Sequence, residues 1–136
     1  MRIPSDLRII GAIYSRYYAA FAAFSRESPS RATKIYVPID IAAIARGLGV
    51  DSDIVFGRLY YHLDRKFGYQ HPDGTSVHFF TLVAGADRHC VNFPLLASVL
   101  AALREDRARH LWTLWLAILS FVISAVSMTV ALLRHA

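Results

Sequence analysis

The sequence predicts an α+β protein. A small N-terminal domain of three helices and a small antiparallel sheet is followed by one long helix that enters a membrane. Three observations predict this. Residues 111–133 read LWTLWLAILSFVISAVSMTVALL without one ionisable side chain. At about 1.5 Å per residue that run makes a helix roughly 34 Å long, enough to cross a hydrocarbon core of about 30 Å. Upstream, apolar residues return at three- and four-residue steps in separate segments, the period of helices. Between the third such segment and the long helix, β-branched and aromatic runs are bounded by turn residues, the composition of short strands.

The elements follow in order. Leu7, Ile10, Tyr14, Tyr17, Tyr18, Phe21 and Phe24 give residues 5–25 the pattern of an amphipathic helix, with Ser5 as its N-cap. Its aromatic stripe is expected to pack into the core, with a stacking platform for bases or a ligand as the alternative. A loop from Ser25 to Thr33 leads to a short edge strand, Lys34 to Pro38, where proline is tolerated. Asp40 is placed to cap a second helix from Ile41 to Arg46 that stops at Gly47 and Gly49. A third helix, capped by Asp51 or Ser52, is expected to reach Phe67, with Gly68 just past its end. A turn at Pro72-Asp73-Gly74 precedes a strand over residues 77–83, and a turn at Gly85-Ala86-Asp87 leads to a strand near His89–Phe93.

From Pro94 the pattern turns helical again, with Leu95, Leu96, Val99, Leu100 and Leu103 on one side, and continues through Arg109 into the apolar run. The expected divisions are a domain over 1–93, an amphipathic juxtamembrane helix over 94–110, a span over 111–133 and a short tail over 134–136. Trp112 and Trp115 sit at the N-terminal end of the span, the depth at which indoles meet an interface. Arg104, Arg107 and Arg109 precede the span and Arg134 alone follows it, which places the N-terminal domain in the cytosol by the positive-inside rule. The lone Cys90 fits a reducing compartment and excludes an internal disulfide framework.

Residues 39–83 resemble a winged helix-turn-helix domain. The resemblance lies in Ile41-Ala42, Ile44-Ala45 and Leu48-Gly49-Val50, then Val55, Leu59 and Leu63, then Asp73-Gly74 and the strand after it. Ala42 and Ala45 are small enough to let two helices approach, Gly49 permits the sharp turn, and Val55, Leu59 and Leu63 face the core. The resemblance implies that the third helix reads a DNA major groove while a hairpin wing, here His71 to Ser76, touches the backbone or minor groove.

The charges oppose that use. Arg58, Arg65 and Lys66 are balanced by Asp51, Asp53 and Asp64, and the wing has no Lys or Arg. Phosphate neutralisation dominates affinity for DNA, so a surface without net positive charge is a poor probe. Other function classes have no better support. His71, His78, His89 and Cys90 lack close ligand spacing, so no metal or other cofactor is expected. No phosphate-binding glycine loop, nucleophile elbow or catalytic carboxylate pair is present, and an enzyme is not expected.

The sequence therefore favours a non-enzymatic winged-helix module at the lipid bilayer. It is expected to bind a cytosolic protein partner through Arg58, Tyr60, Tyr61 and His62, because Tyr and Arg make good interface anchors. The alternative is a membrane-tethered DNA-binding regulator that uses Ser52, Phe56, Arg58 and Arg65, with Lys34 and Arg46 on phosphates. A third reading is a small membrane-active effector whose span oligomerises. Ser120, Ser124, Ser127 and Ala131 place small residues one turn apart on the span, a pattern that permits helix pairing in a homodimer or oligomer.

Overall fold

The structure, a computed structural model, describes residues 3–135; the last residue of the expected 134–136 tail, Ala136, lies outside them. The chain forms two compact units, Met1–Ala101 and Ala102–Ala136. The first is the α+β head: helix α1 (Asp6–Ala22), strand β1 (Tyr36–Pro38), helix α2 (Ile41–Leu48), a third helical run, strands β2 (Tyr69–Gln70), β3 (Ser76–Val77), β4 (Phe80–Ala84) and β5 (Asp87–Asn92), and the start of helix α5 (Phe93–His135). The third run contains α3 (Ser52–Gly57), a π-helical turn (Arg58–Leu63) and α4 (Asp64–Phe67) without a break.

Each helix begins where its capping residue dictates. Ser5 Oγ accepts from the Arg8 amide, Asp40 Oδ1 from the Ala43 amide and Asp51 Oδ1 from the Asp53 amide. These bonds occupy amides that an α-helix start leaves without intrahelical partners. Helix α2 ends on Gly49 at φ +69°, a left-handed conformation that glycine adopts without a Cβ penalty.

Two packing expectations need correction. In α1 the fully buried residues are Ile9, Ile10 and Ile13, and the aromatic stripe flanks them instead of filling the core. Tyr14 and Phe21 stack on Phe93 at 5.5 and 4.7 Å, while the Tyr17 hydroxyl accepts from the Asp40 amide at 2.7 Å. A phenol at the core margin keeps its oxygen within reach of a polar group. In α2 it is Ala43 and Ala45 that are buried, and Ala42 is exposed. Ala42 lies about 200° around the helix from buried Ile44, so it faces outward. Gly68, expected just past the end of the third helix, caps it with φ −66°. Its glycine is required by space, since a Cβ there would sit 2.5 Å from the Asp64 carbonyl oxygen.

The strand expected over 77–83 is also divided. Asp64 Oδ1 accepts from the Phe79 and Phe80 amides at 2.8 and 3.2 Å. These bonds fall at the break, and the chain on either side joins different partners. β3 pairs with β2 as a two-stranded hairpin, the location of the expected wing, while β4 pairs with β5. The larger sheet is antiparallel in the order β1-β5-β4, with Tyr36 opposite Asn92 and Phe80 opposite Val91. A two-residue loop, Gly85-Ala86, joins β4 to β5 with Gly85 at φ +63°.

The core lies between this sheet and the helices. Val55, Leu59 and Leu63 of the third run, Val37, Phe79, Phe80 and Val91 of the sheet region, and Phe93, Leu96 and Leu100 of α5 are almost fully buried. Helix α5 starts where the Asn92 side-chain oxygen accepts from the Leu95 amide at 3.2 Å. In the second unit, every described side chain from 104 to 135 is exposed. The helix is long and apolar enough to cross a membrane, with a mean hydropathy of 2.4 in its most apolar window and none of that window buried.

Candidate functional site

Two neighbouring features on the third helical run define the candidate site. The first is a column of cations. Arg58, His62 and Lys66 are spaced by four, as are Val55, Leu59 and Leu63 on the buried side. In an α-helix four residues overshoot one turn by about 40°, so such columns drift around the axis. The wider π-helical turn between Arg58 and Leu63 offsets that drift.

The cation column closes on one carboxylate at the start of α1. Asp6 Oδ1 pairs with Arg58, and its Oδ2 lies 3.1 Å from His62 Nε2 and 3.7 Å from Lys66 Nζ. Burial pushes the Asp6 carboxyl up, but the hydrogen bond from His62 and the charge and hydrogen bond of Arg58 outweigh it. Its pKa lies below the ordinary 3.8. Arg58 and His62 are therefore committed to tying the first helix to the third. Their exposed area is modest, 30% and 41% of each side chain.

The second feature is a groove of about 470 Å³ between the third run and β4, lined by Tyr60, Tyr61, Asp64, Arg65, His78, Phe80, Thr81 and Leu82. Tyr61 is 72% exposed, and its ring meets Tyr60 edge-on at 5.0 Å. Tyr60 in turn stacks on Phe56 at 5.5 Å. At the groove's end, Asp64 Oδ2 lies 3.2 Å from His78 Nδ1. The four residues expected to bind a partner thus divide: Tyr60 and Tyr61 line the groove, whereas Arg58 and His62 face Asp6.

The residues of the DNA alternative are dispersed. Ser52 and Phe56 line a separate hollow with Asp40, Asp53 and His89. Arg65 is in the groove, Arg46 is exposed on α2, and the Lys34 ammonium lies over the Phe21 ring at 5.6 Å. Another cation, Arg31, turns inward: its guanidinium donates to the Ala20 and Lys34 carbonyls and stacks on Phe24. Burial lowers its pKa, opposed by the Asp87 charge.

His71, His78, His89 and Cys90 do not converge. His71 packs on Tyr69, His78 faces Asp64, His89 stacks on Phe80, and Cys90 is buried. Burial, followed by the Asp87 charge, pushes the Cys90 thiol up. Among the described residues no group of three His, Cys, Asp or Glu side chains is placed to hold a metal ion.

In the second unit, Trp112 and Trp115 are about 70% exposed and share an apolar face with Ala108 and Leu111. Arg104, Arg107 and Arg109 are exposed on the preceding turns. The hydroxyls of Ser120, Ser124 and Ser127 each donate to the carbonyl four residues back at 2.9 Å, so they are satisfied within the helix. Ala131 is exposed on the same helix.

Comparison with protein families, curated proteins and solved structures found no match to this chain. Two carboxylates with structural roles, Asp6 and Asp64, escape sequence reasoning because each acts on residues far along the chain. The four-residue spacing of Arg58, His62 and Lys66 was the available signal for a shared counter-ion.

Proposed function

We propose that the chain is a membrane-anchored, non-enzymatic module whose α5 spans a bilayer over 111–133. Its winged-helix-like head faces the cytosol and binds a protein partner there as a homodimer. The observation that carries this reading is α5 itself: a helix whose residues 111–133 carry no charge and are all exposed. Exposing that much apolar surface to water is costly, and lipid is the solvent that removes the cost. The head contributes the order of three helices followed by a β-hairpin, and an exposed Tyr60–Tyr61 pair beside a groove. Aromatic side chains at the rim of a concave surface anchor protein interfaces.

Alkaline carbonate washing of membranes from cells that express the full chain tests the anchor; the chain is expected in the pellet, and release to the supernatant removes the reading. Protease protection on sealed vesicles tests the orientation, with the head expected to be digested from the cytosolic side. A salt series with random duplex DNA and the detergent-solubilised full chain tests the other use of the fold. Little binding at low salt is expected, because Arg58, Lys66 and Arg31 are already engaged within the head. A steep salt-dependent affinity would replace the protein partner with DNA.

A further inference from the structure

Strand β4 is an edge of the larger sheet, and it differs from the other edge. β1 is three residues long and ends in Pro38, features that blunt an edge against pairing. β4 is five residues, Phe80-Thr81-Leu82-Val83-Ala84, with no charge, no proline and no lysine. Leu82 and Val83 on it are 41% and 57% exposed. Folded proteins rarely leave such a strand open unless something pairs with it. Phe80, Thr81 and Leu82 are consecutive and all line the groove, so the groove follows this strand, with Tyr60, Tyr61 and Arg65 across from it.

The charges of the groove select the occupant. Asp64 is used up: Oδ1 accepts from the Phe79 and Phe80 amides and Oδ2 faces His78. Arg65 forms no ion pair among the described residues, although its neighbour Lys66 reaches Asp6. The groove therefore offers the edge of β4 beyond the Phe80 amide that Asp64 takes, apolar and aromatic walls, and one cation, Arg65, without an ion pair. Resting on the protein-partner reading above, we infer that an extended acidic–apolar peptide segment of the partner adds to the edge of β4 as a further strand. Its alternate side chains enter the groove against the exposed Tyr60 and Leu82, and one carboxylate pairs with Arg65. A five-residue strand is about 17 Å long, so a short linear segment suffices. Backbone pairing supplies affinity, and the alternate side chains supply specificity.

A phage-displayed library of random nonapeptides, panned on the full chain in phosphatidylcholine nanodiscs, tests this. Enriched peptides are expected to alternate apolar or β-branched residues and to fix one Asp or Glu. Panning on Arg65→Glu is expected to replace that acid by Lys or Arg, and the original peptide is expected to lose about tenfold in affinity for this variant. N-methylation of the peptide is expected to weaken binding about tenfold at every second amide and to be tolerated between, because an antiparallel strand uses alternate amides toward one neighbour. Peptides with helical periodicity, or binding indifferent to Arg65→Glu, would overturn strand addition while the head stayed a protein-binding module. A photo-crosslinker at Leu82 that captured only a second copy of the chain would overturn the peptide occupant in favour of self-pairing. No enrichment at all would sink both inferences about the head.

Discussion

Asp6 shows how one side chain organises a surface. It gathers Arg58, His62 and Lys66, and its carboxyl titrates below 3.8 because that gain exceeds the cost of burial. A depressed folded-state pKa means that the pairing stabilises the head fully above the unfolded value and is lost as pH falls through the folded one. Asp6→Asn is expected to cost about 1–2 kcal/mol at neutral pH. Urea titrations of both proteins should show that difference shrinking below about pH 4, as wild-type Asp6 becomes protonated. Gly68→Ala is expected to cost about 1–3 kcal/mol, since the new methyl would meet the Asp64 carbonyl oxygen at 2.5 Å. The same denaturation assay measures it. Neither effect was legible from the local sequence. Gly68 has the local look of an ordinary helix terminator, and only partners more than fifty positions away give Asp6 its role.

At the scale of elements, caps and turns followed local chemistry, and strand continuity did not. Ser5, Asp40, Asp51 and Gly49 act where their side chains or their backbone freedom place them. Residues 77–83 have an unbroken strand composition, yet the segment is divided where Asp64 holds the Phe79 and Phe80 amides. Asp64→Ala leaves those donors without their acceptor and is expected to destabilise the head by about 1–3 kcal/mol. Hydrogen exchange should then show faster exchange at Phe79 and Phe80 than in the wild type. Asn92→Ala removes the cap of α5 and is expected to cost about 1 kcal/mol, read by thermal unfolding. The π-helical turn likewise has no distinctive local signal. Its signal, two side-by-side columns at four-residue spacing, is also what an ordinary helix with a broad apolar face would show.

At the scale of the whole molecule, two surfaces carry the proposed function: the uncharged 111–133 run of the second unit's helix and the groove of the head. Val122 stands at the middle of the 111–133 run, so Val122→Lys places an ammonium at the centre of the proposed span. The expected penalty for insertion is about 3 kcal/mol. A membrane-targeting assay should show a large fall in the carbonate-resistant fraction, with the head still folded. Alanine at Leu59, fully buried on the core side of the third helical run, is expected to cost about 2–5 kcal/mol in head stability and to leave carbonate resistance unchanged. Those opposite outcomes would separate folding of the head from retention by the helix.

The sequence by itself determined the α+β composition, the placement of caps and turns, and an apolar helix of membrane-crossing length. These properties depend on residues within a few positions of one another, or on the absence of charge along a run. Tertiary structure alone decided which cations are free. Arg58, His62 and Lys66 close on Asp6, Arg31 turns inward to carbonyls, and Arg65 is left without an ion pair in the groove beside the edge strand β4. A charge is available to a partner only when no distant part of the chain has neutralised it, and chain order does not encode that proximity.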